Sequence, residues 1–166
     1  MMLPVTSVKI RPAVESDAAA MAQTHYSAVH VSAAGAYPPE VLDIWSPAPS
    51  EIRNEAFRKA MRGGHEMFLV AEEGSGVIGF GSIVPESNEV RSVYVNADSA
   101  GRGVGSAILK ALEILAASRG CTELKFEASR NAESFYARNG YISVAQGTHR
   151  LSGGREMACI TMRKRL

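Results

Sequence analysis

Three glycines at alternate positions, Gly101, Gly103 and Gly105, sit between a β-patterned run, VRSVYV, and a helix-periodic apolar stretch that opens at Val104. The intervening residues, NADSA, are small and polar, so the order is strand, tight loop, helix N-terminus. Glycine lacks a Cβ, which lets the backbone turn sharply and lets a ligand approach its N–H groups. The first turn of a helix carries N–H groups without an internal acceptor, and the helix dipole adds partial positive charge there. A pyrophosphate or similar anion suits such a loop. Glycine-rich loops also serve as plain connectors, so the three glycines do not decide the matter alone.

Spacing narrows the choice of phosphate-binding motif. A P-loop requires Lys and then Ser or Thr after its last glycine, whereas Gly105 is followed by Ser106 and Ala107. A dinucleotide fingerprint wants its first glycine at the end of the strand and an acidic residue about 20 positions on. Glu123 or Glu127 could be that acid, but residues 96–100 separate strand from glycines, so this stays the weaker rival. The third candidate fits better: VYVNADSAGRGVGSAIL resembles the acetyl-CoA motif of the GNAT acetyltransferases, whose pattern is Gln or Arg, two residues, Gly, any residue, then Gly or Ala. Gly103 and Gly105 match it, while Ala100 stands where the family has Gln or Arg. A second, independent stretch, EASRNAESFYARNGYISV, resembles the family's next conserved block, with Asn131, the Phe135 and Tyr136 pair, and Gly140 before an aromatic residue. The likeness is good from Glu89 to Val144 and loose over the N-terminal third.

The resemblance implies an α/β fold of mixed α+β character. It is a GNAT-like three-layer arrangement, with helices on both faces of a central twisted mixed sheet of about six to seven strands. It also implies acetyl-CoA as co-substrate, no metal, and acetyl transfer to an amine of a small molecule by direct attack in a ternary complex. Gly101, Arg102, Gly103, Val104, Gly105 and Ser106 would surround the pyrophosphate, with Arg102 reaching a phosphate or remaining a solvated loop charge. Val93, Tyr94 and Val95 would meet the pantetheine amides through their backbones, and one N–H near Val93 would polarise the acetyl carbonyl. Asn131 would bond the pantetheine arm, and it also reads as the cap of a short helix.

Acetyl transfer from a thioester needs a held co-substrate, a polarised carbonyl, a neutral amine and a proton for the departing thiolate. The resemblance assigns that proton to Tyr136, the plainer alternative being a packed tyrosine with a satisfied hydroxyl. At neutral pH an amine is mostly protonated, and a carboxylate can take its proton, directly or through water. The resemblance points to Glu89 as the candidate base, since one branch of the superfamily carries a base glutamate at the start of this strand, with Glu86 a looser substitute; strand alternation places Glu89 on the face of Arg91, Val93 and Val95. A solvated strand-end carboxylate is the competing account. His25, Tyr26, His30, Tyr37 and Trp45 lie in the region that would line the acceptor site, where aromatics are more often core, and His149 stays unplaced. Cys121 and Cys159 are not spaced for a metal, and neither sits in a motif supporting a covalent acetyl-enzyme. Two other functions stay open: a protein or peptide N-acetyltransferase, and a catalytically idle acyl-CoA-binding regulatory module.

The elements that must position these residues follow from pattern and punctuation. Thr6 to Ile10 reads as a short strand, and Ser16 or Asp17 offers an N-cap for a helix that Gly35 stops. PPEVLDIW reads as a short helix with Pro39 in its first turn, and Ser50 begins another that Gly63 closes. MFLVAEE and VIGFGSIV form a hairpin around Gly74, Ser75 and Gly76. The helix from about Val104 to Ser118 puts Val104, Ile108, Ala111, Leu112 and Leu115 on one face, with Lys110 and Glu113 away from it. It links VRSVYV to CTELKFEAS as a crossover, so those two strands should be parallel. Asn131 opens a short helix that Gly140 ends, and a closing hairpin follows.

At 166 residues the chain has the length of one domain, residues 1–166. Its net charge of +1 gives no broad attraction to nucleic acid or to an anionic membrane. Small partners are expected, and a homodimer stays open. The first residues, MMLPVTSVKIRPA, lack the apolar core of a signal peptide, no run approaches a membrane span, and a cytoplasmic location is expected.

Overall fold

A computed structural model describes residues 7–166 of the chain. Seven strands form one sheet: β1 (Val8–Pro12), β2 (Met67–Glu73), β3 (Gly76–Val84), β4 (Glu89–Val95), β5 (Glu123–Ser129), β6 (Ile142–Arg150) and β7 (Glu156–Arg165). Their order is β1-β2-β3-β4-β5-β7-β6, antiparallel throughout except for the parallel neighbours β4 and β5. Helices α1 (Ala18–Ser32), α2 (Pro39–Trp45) and α3 (Glu51–Gly63) cover one face; α4 (Val104–Ser118) and α5 (Glu133–Arg138) cover the other. The expected three layers, mixed sheet and parallel crossover are all present. No helix among the described residues is long and apolar enough to cross a membrane.

The main core lies between α4 and the sheet, where Ile108, Leu109, Leu112 and Ala116 pack on Ala71, Ile83, Val90 and Leu124. Two glycines of β3 permit that contact. A Cβ at Gly81 would stand 2.8 Å from Ile108 Cγ2, Leu112 Cδ1 and the carbonyl oxygen of Ser92. One at Gly79 would stand 2.9 Å from Ile108 Cδ1. Sheet and helix therefore approach closely where β3 pairs with β4.

Several local expectations need correction. Thr6 lies outside the described residues, and the first strand runs from Val8 to Pro12. Asp17 stands at the α1 N-cap position, but its carboxylate turns back to accept from Val14 N–H at 2.8 Å and from Arg11. Helix α3 is capped by Ser50, which accepts from Arg53 N–H, and it ends at Gly64, whose φ of 73° makes it the left-handed stop in place of Gly63. Asn131 does not cap α5: it lies in a 3-10 turn (Arg130–Ala132) ahead of that helix, and Ala132 holds the cap position without a side-chain bond. Glu113 is buried, because Lys164 of β7 crosses over it and donates to both carboxylate oxygens, at 2.9 and 3.1 Å. An apolar-versus-polar pattern has no means of foreseeing a lysine supplied by a distant strand.

On the opposite face the core encloses polar groups. His25 is buried; Ser46 Oγ and Arg53 Nη2 both donate to its Nδ1, at 2.9 and 2.8 Å, which assigns the ring proton to Nε2. Burial, then the neighbouring Arg53 charge, pushes the His25 pKa down to about 3.

Two stability predictions follow from these contacts. Gly81→Ala overpacks a site bounded partly by backbone, and should cost about 2 kcal/mol, seen as a fall in Tm on the order of 6 °C by calorimetry. His25 is neutral when folded yet takes a proton near pH 6.5 when unfolded. Its contribution is therefore complete above that value and is lost as pH falls toward 3. Urea unfolding at pH 7 and pH 5 should show the wild type losing about 2 kcal/mol more than His25→Gln over that interval.

Candidate active site

Strands β4 and β5 share one register pair, Glu89 with Lys125, reinforced by Lys125 N–H donating to Asn88 O at 2.8 Å. Beyond that point they part. One edge of β4 is bonded to β3 as far as Val95, while the other edge has no strand beside it. A cavity of about 940 Å³ fills the opening and runs from the glycine loop, through the gap, to the face covered by α1 and α2.

The loop is held from behind by α1. Ser27 Oγ donates to Asn96 Oδ1 and accepts from Ala97 N–H, each at 3.1 Å. Gly101 and Gly103 take φ of 75° and 81°, the left-handed region that favours glycine, and no heavy atom of the described residues lies within 4 Å of where a Cβ would stand. The first N–H to return into the helix is that of Ala107, bonded to Gly103 O at 3.1 Å. Those of Gly103, Val104, Gly105 and Ser106 have no acceptor among the described residues, and no acidic side chain occupies the first turn of α4. These open donors and the unfilled space around the glycines fit a diphosphate.

Gly105 has a different reason to be glycine. A Cβ there would meet Phe135 Cε2 and Cζ at 3.2 Å and Val95 Cγ2 at 3.6 Å. The two conserved-looking stretches of the sequence touch at this point, with α4, α5 and β4 closing together. Tyr136, next to Phe135, is 1% exposed and yet lines the cavity, among the rings of Phe126 at 4.2 Å and Tyr141 at 5.6 Å. Burial holds its hydroxyl well above the usual tyrosine range, so it keeps its proton across physiological pH.

Val93, Tyr94, Val95, Asn131 and Glu89 also line the cavity. Val93 and Val95 pack toward α4, while the Tyr94 ring turns to the other face and lies 4.4 Å from His25. Asn131 is exposed on the cavity wall. Arg102 does not line the cavity; its guanidinium is bidentate on Glu73, at 3.1 and 2.6 Å.

Strict alternation fails for Glu89. Ser82 pairs with Ser92 and the next residue, Ile83, with Val90, so Arg91 is an extra residue bulged from β4. The bulge brings Val90 into the core with Val93 and Val95, and Glu89 falls on the opposite face, that of Tyr94. There Arg91 Nε donates to Oε1 and Ser87 Oγ to Oε2, both at 3.3 Å.

At the far mouth Glu127 Oε2 and His149 Nδ1 lie 2.9 Å apart, reaching across β7 from β5 and β6. The sequence offers Glu127 only as the acid of the rival motif and gives His149 no place. Their meeting depends on the strand order, for which the local pattern carries no signal. Arg138 of α5 lines the cavity too, equally without one. Cys159 is buried at this mouth, where burial and then the Glu127 charge push its thiol up, away from a reactive thiolate.

Comparison with known proteins agrees with this geometry. The family model for the acetyltransferase (GNAT) domain matches residues 25–166. A GCN5-related N-acetyltransferase from Rhodopseudomonas palustris is similar at 29% identity and TM-score 0.85, over 100% of both chains. YncA from Salmonella typhimurium, solved with its cofactor acetyl-CoA, is similar at 26% identity and TM-score 0.70, over 96% of this chain and 94% of that one. Ribosomal-protein-alanine N-acetyltransferase from Brucella melitensis is similar at 25% identity and TM-score 0.70, over 95% and 99%. A search of curated proteins finds no match. The open loop, the parted strands and the domain match together place the chain in the GNAT acetyltransferase family.

Proposed function

We propose that residues 1–166 form a single N-acetyltransferase domain that moves an acetyl group from acetyl-CoA to a small-molecule amine, by direct attack in a ternary complex in the cytoplasm. The observation that carries this reading is the cavity through the β4/β5 gap, with unbonded N–H groups of the glycine loop at one mouth and Tyr136 on its wall. Acetyl-CoA, when bound, supplies the acetyl group as an activated thioester.

The chain's own residues do the rest. The N–H groups of Gly103 to Ser106 grip the diphosphate, aided by the α4 dipole. The unpaired edge of β4 at Val93, Tyr94 and Val95 offers main-chain groups to the amide-bearing arm, with Asn131 on the facing wall. Arg102 joins a phosphate only by leaving Glu73. A nitrogen–carbon bond forms as the carbon–sulfur bond breaks; the amine proton passes to Glu89 and the departing sulfur takes the proton held on Tyr136 Oη. Glu89 then releases its proton to water, and Tyr136 regains one.

A peptide acceptor is the second reading, favoured by the likeness to a ribosomal-protein-alanine N-acetyltransferase. A panel of amines and N-terminal peptides, assayed for CoA release, separates the two, and a panel with no acetylated member would leave only a CoA-binding module. Tyr136→Phe should lower kcat on the order of 10²-fold while CoA affinity by calorimetry changes little. Glu89→Gln should lower kcat/KM about ten-fold or more near neutral pH, and activity should recover as pH rises and the free amine accumulates. A Glu89→Gln rate and pH profile that superimpose on those of the wild type would remove Glu89 as the base.

A further inference from the structure

A second cavity, of about 310 Å³, opens beneath α3 on the face of the sheet away from α4. Its floor is aromatic. Phe57 lies edge-on to Phe68 and Phe80, with ring centroids 6.2 and 5.5 Å apart, and Phe80 lies 5.6 Å from Tyr94. Arg53, Arg91 and Glu66 supply its charge. Arg91 and Tyr94 line this cavity and the larger one alike, so the two cavities share these residues as a wall at β4 beside the bulge.

Arg53 is a half-buried cation whose partners are all neutral. Nη1 donates to Ser46 Oγ at 3.2 Å and Pro47 O at 2.6 Å, and Nη2 donates to His25 Nδ1 at 2.8 Å. Arg11, Arg58, Arg62, Arg91 and Arg102 each meet a carboxylate, but Arg53 has none among the described residues. A guanidinium carries five N–H donors. The Nε–H and one N–H of Nη2 are therefore left without an acceptor among the described residues. Glu66 does not neutralise it, because Ser82 Oγ donates to Glu66 Oε1 at 2.6 Å and no ion pair joins Glu66 to Arg53. Partial burial already disfavours the charge on Arg53. An incoming carboxylate would relieve that and engage unused donors, and charge-assisted bonds of this kind are roughly twice as strong as neutral ones.

We propose that this second cavity is the acceptor subsite, and that it takes an amine bearing a carboxylate and an apolar or aromatic body. Arg53 holds the carboxylate and Phe57, Phe68 and Phe80 hold the body. The rest of such a molecule extends toward Arg91 and Tyr94, the wall shared with the larger cavity. The amine in this statement rests on the acetyltransferase reading above; the carboxylate site does not.

The test uses 3-phenylpropionate, which has no amine to acetylate, and its neutral analogue 3-phenylpropanamide, titrated calorimetrically into the full chain. The acid should bind at least about ten-fold more tightly than the amide, and Arg53→Gln should abolish that difference. Phe57→Ala, which leaves the polar cluster intact, should weaken both ligands. In the wild type, 3-phenylpropionate should shift the NMR signals of Arg53 and Tyr94, a readout that needs no variant to fold. Equal binding of acid and amide, discrimination that persists in Arg53→Gln, shifts confined to the glycine loop, or no binding of either compound would each overturn the proposal. Selective acid binding without acetyl transfer to any amine would keep the site and remove the enzyme. Acetyl transfer to amines with no preference for a carboxylate would do the reverse.

Discussion

Parallel neighbours in a sheet ordinarily bond evenly along their length, and the parting of β4 from β5 after one register pair is the constraint to which the rest of the site answers. Each strand is secured on its outer side. β4 is bonded to β3, onto which α4 can settle because Gly79 and Gly81 carry no side chain, while β5 is bonded to β7 from Glu123 to Ser129. Their inner edges therefore face a cavity with backbone donors and acceptors unused. Buried main-chain polar groups need partners, so such a gap suits water or a ligand that carries its own donors and acceptors. The rings of Phe135 and Tyr136 stand at the opening, and Gly105 lets α4 close down on Phe135.

The electrostatics of the glycine loop are set as much by what is kept away as by what is present. No acid sits in the first turn of α4, and no side chain among the described residues caps its open N–H groups. The nearby cation, Arg102, is drawn to Glu73 at the end of β2. Any anion at this loop would thus meet main-chain dipoles first, and a Gln or Arg in place of Ala100 would add to donors that the backbone already offers.

How much of this was legible depended on distance along the chain. The α4 boundaries, the β2–β3 hairpin and the parallel crossover follow from local periodicity and from Gly74 to Gly76, and they came out as expected. The family likeness reached the glycine loop and Tyr136 because both lie in short contiguous blocks. Glu113 was misplaced because its partner, Lys164, is 51 residues away. The Glu127 and His149 pair required knowing that β7 inserts between β5 and β6. Arg53 resembled any solvated charge in the first turn of a helix until the fold brought Ser46 and His25 against it. Residues whose placement is set by neighbours in sequence can be read; those whose placement is set by strand order cannot.

The bulge at Arg91 shows how one backbone irregularity can decide what a strand presents to each of its faces. Without the extra residue, alternation would carry Glu89 to the α4 side, where its neighbours would be Val93, Val95 and the apolar core, and a carboxylate there would be costly to ionise. With it, Val90 fills that core at 1% exposure, and Glu89 moves to the face of Tyr94. The same residue, pushed outward, becomes a wall shared by both cavities and donates to Glu89. A local register shift therefore places a carboxylate, a cation and the junction of two cavities within one turn of chain, and it does so beside the single register pair from which β4 and β5 diverge.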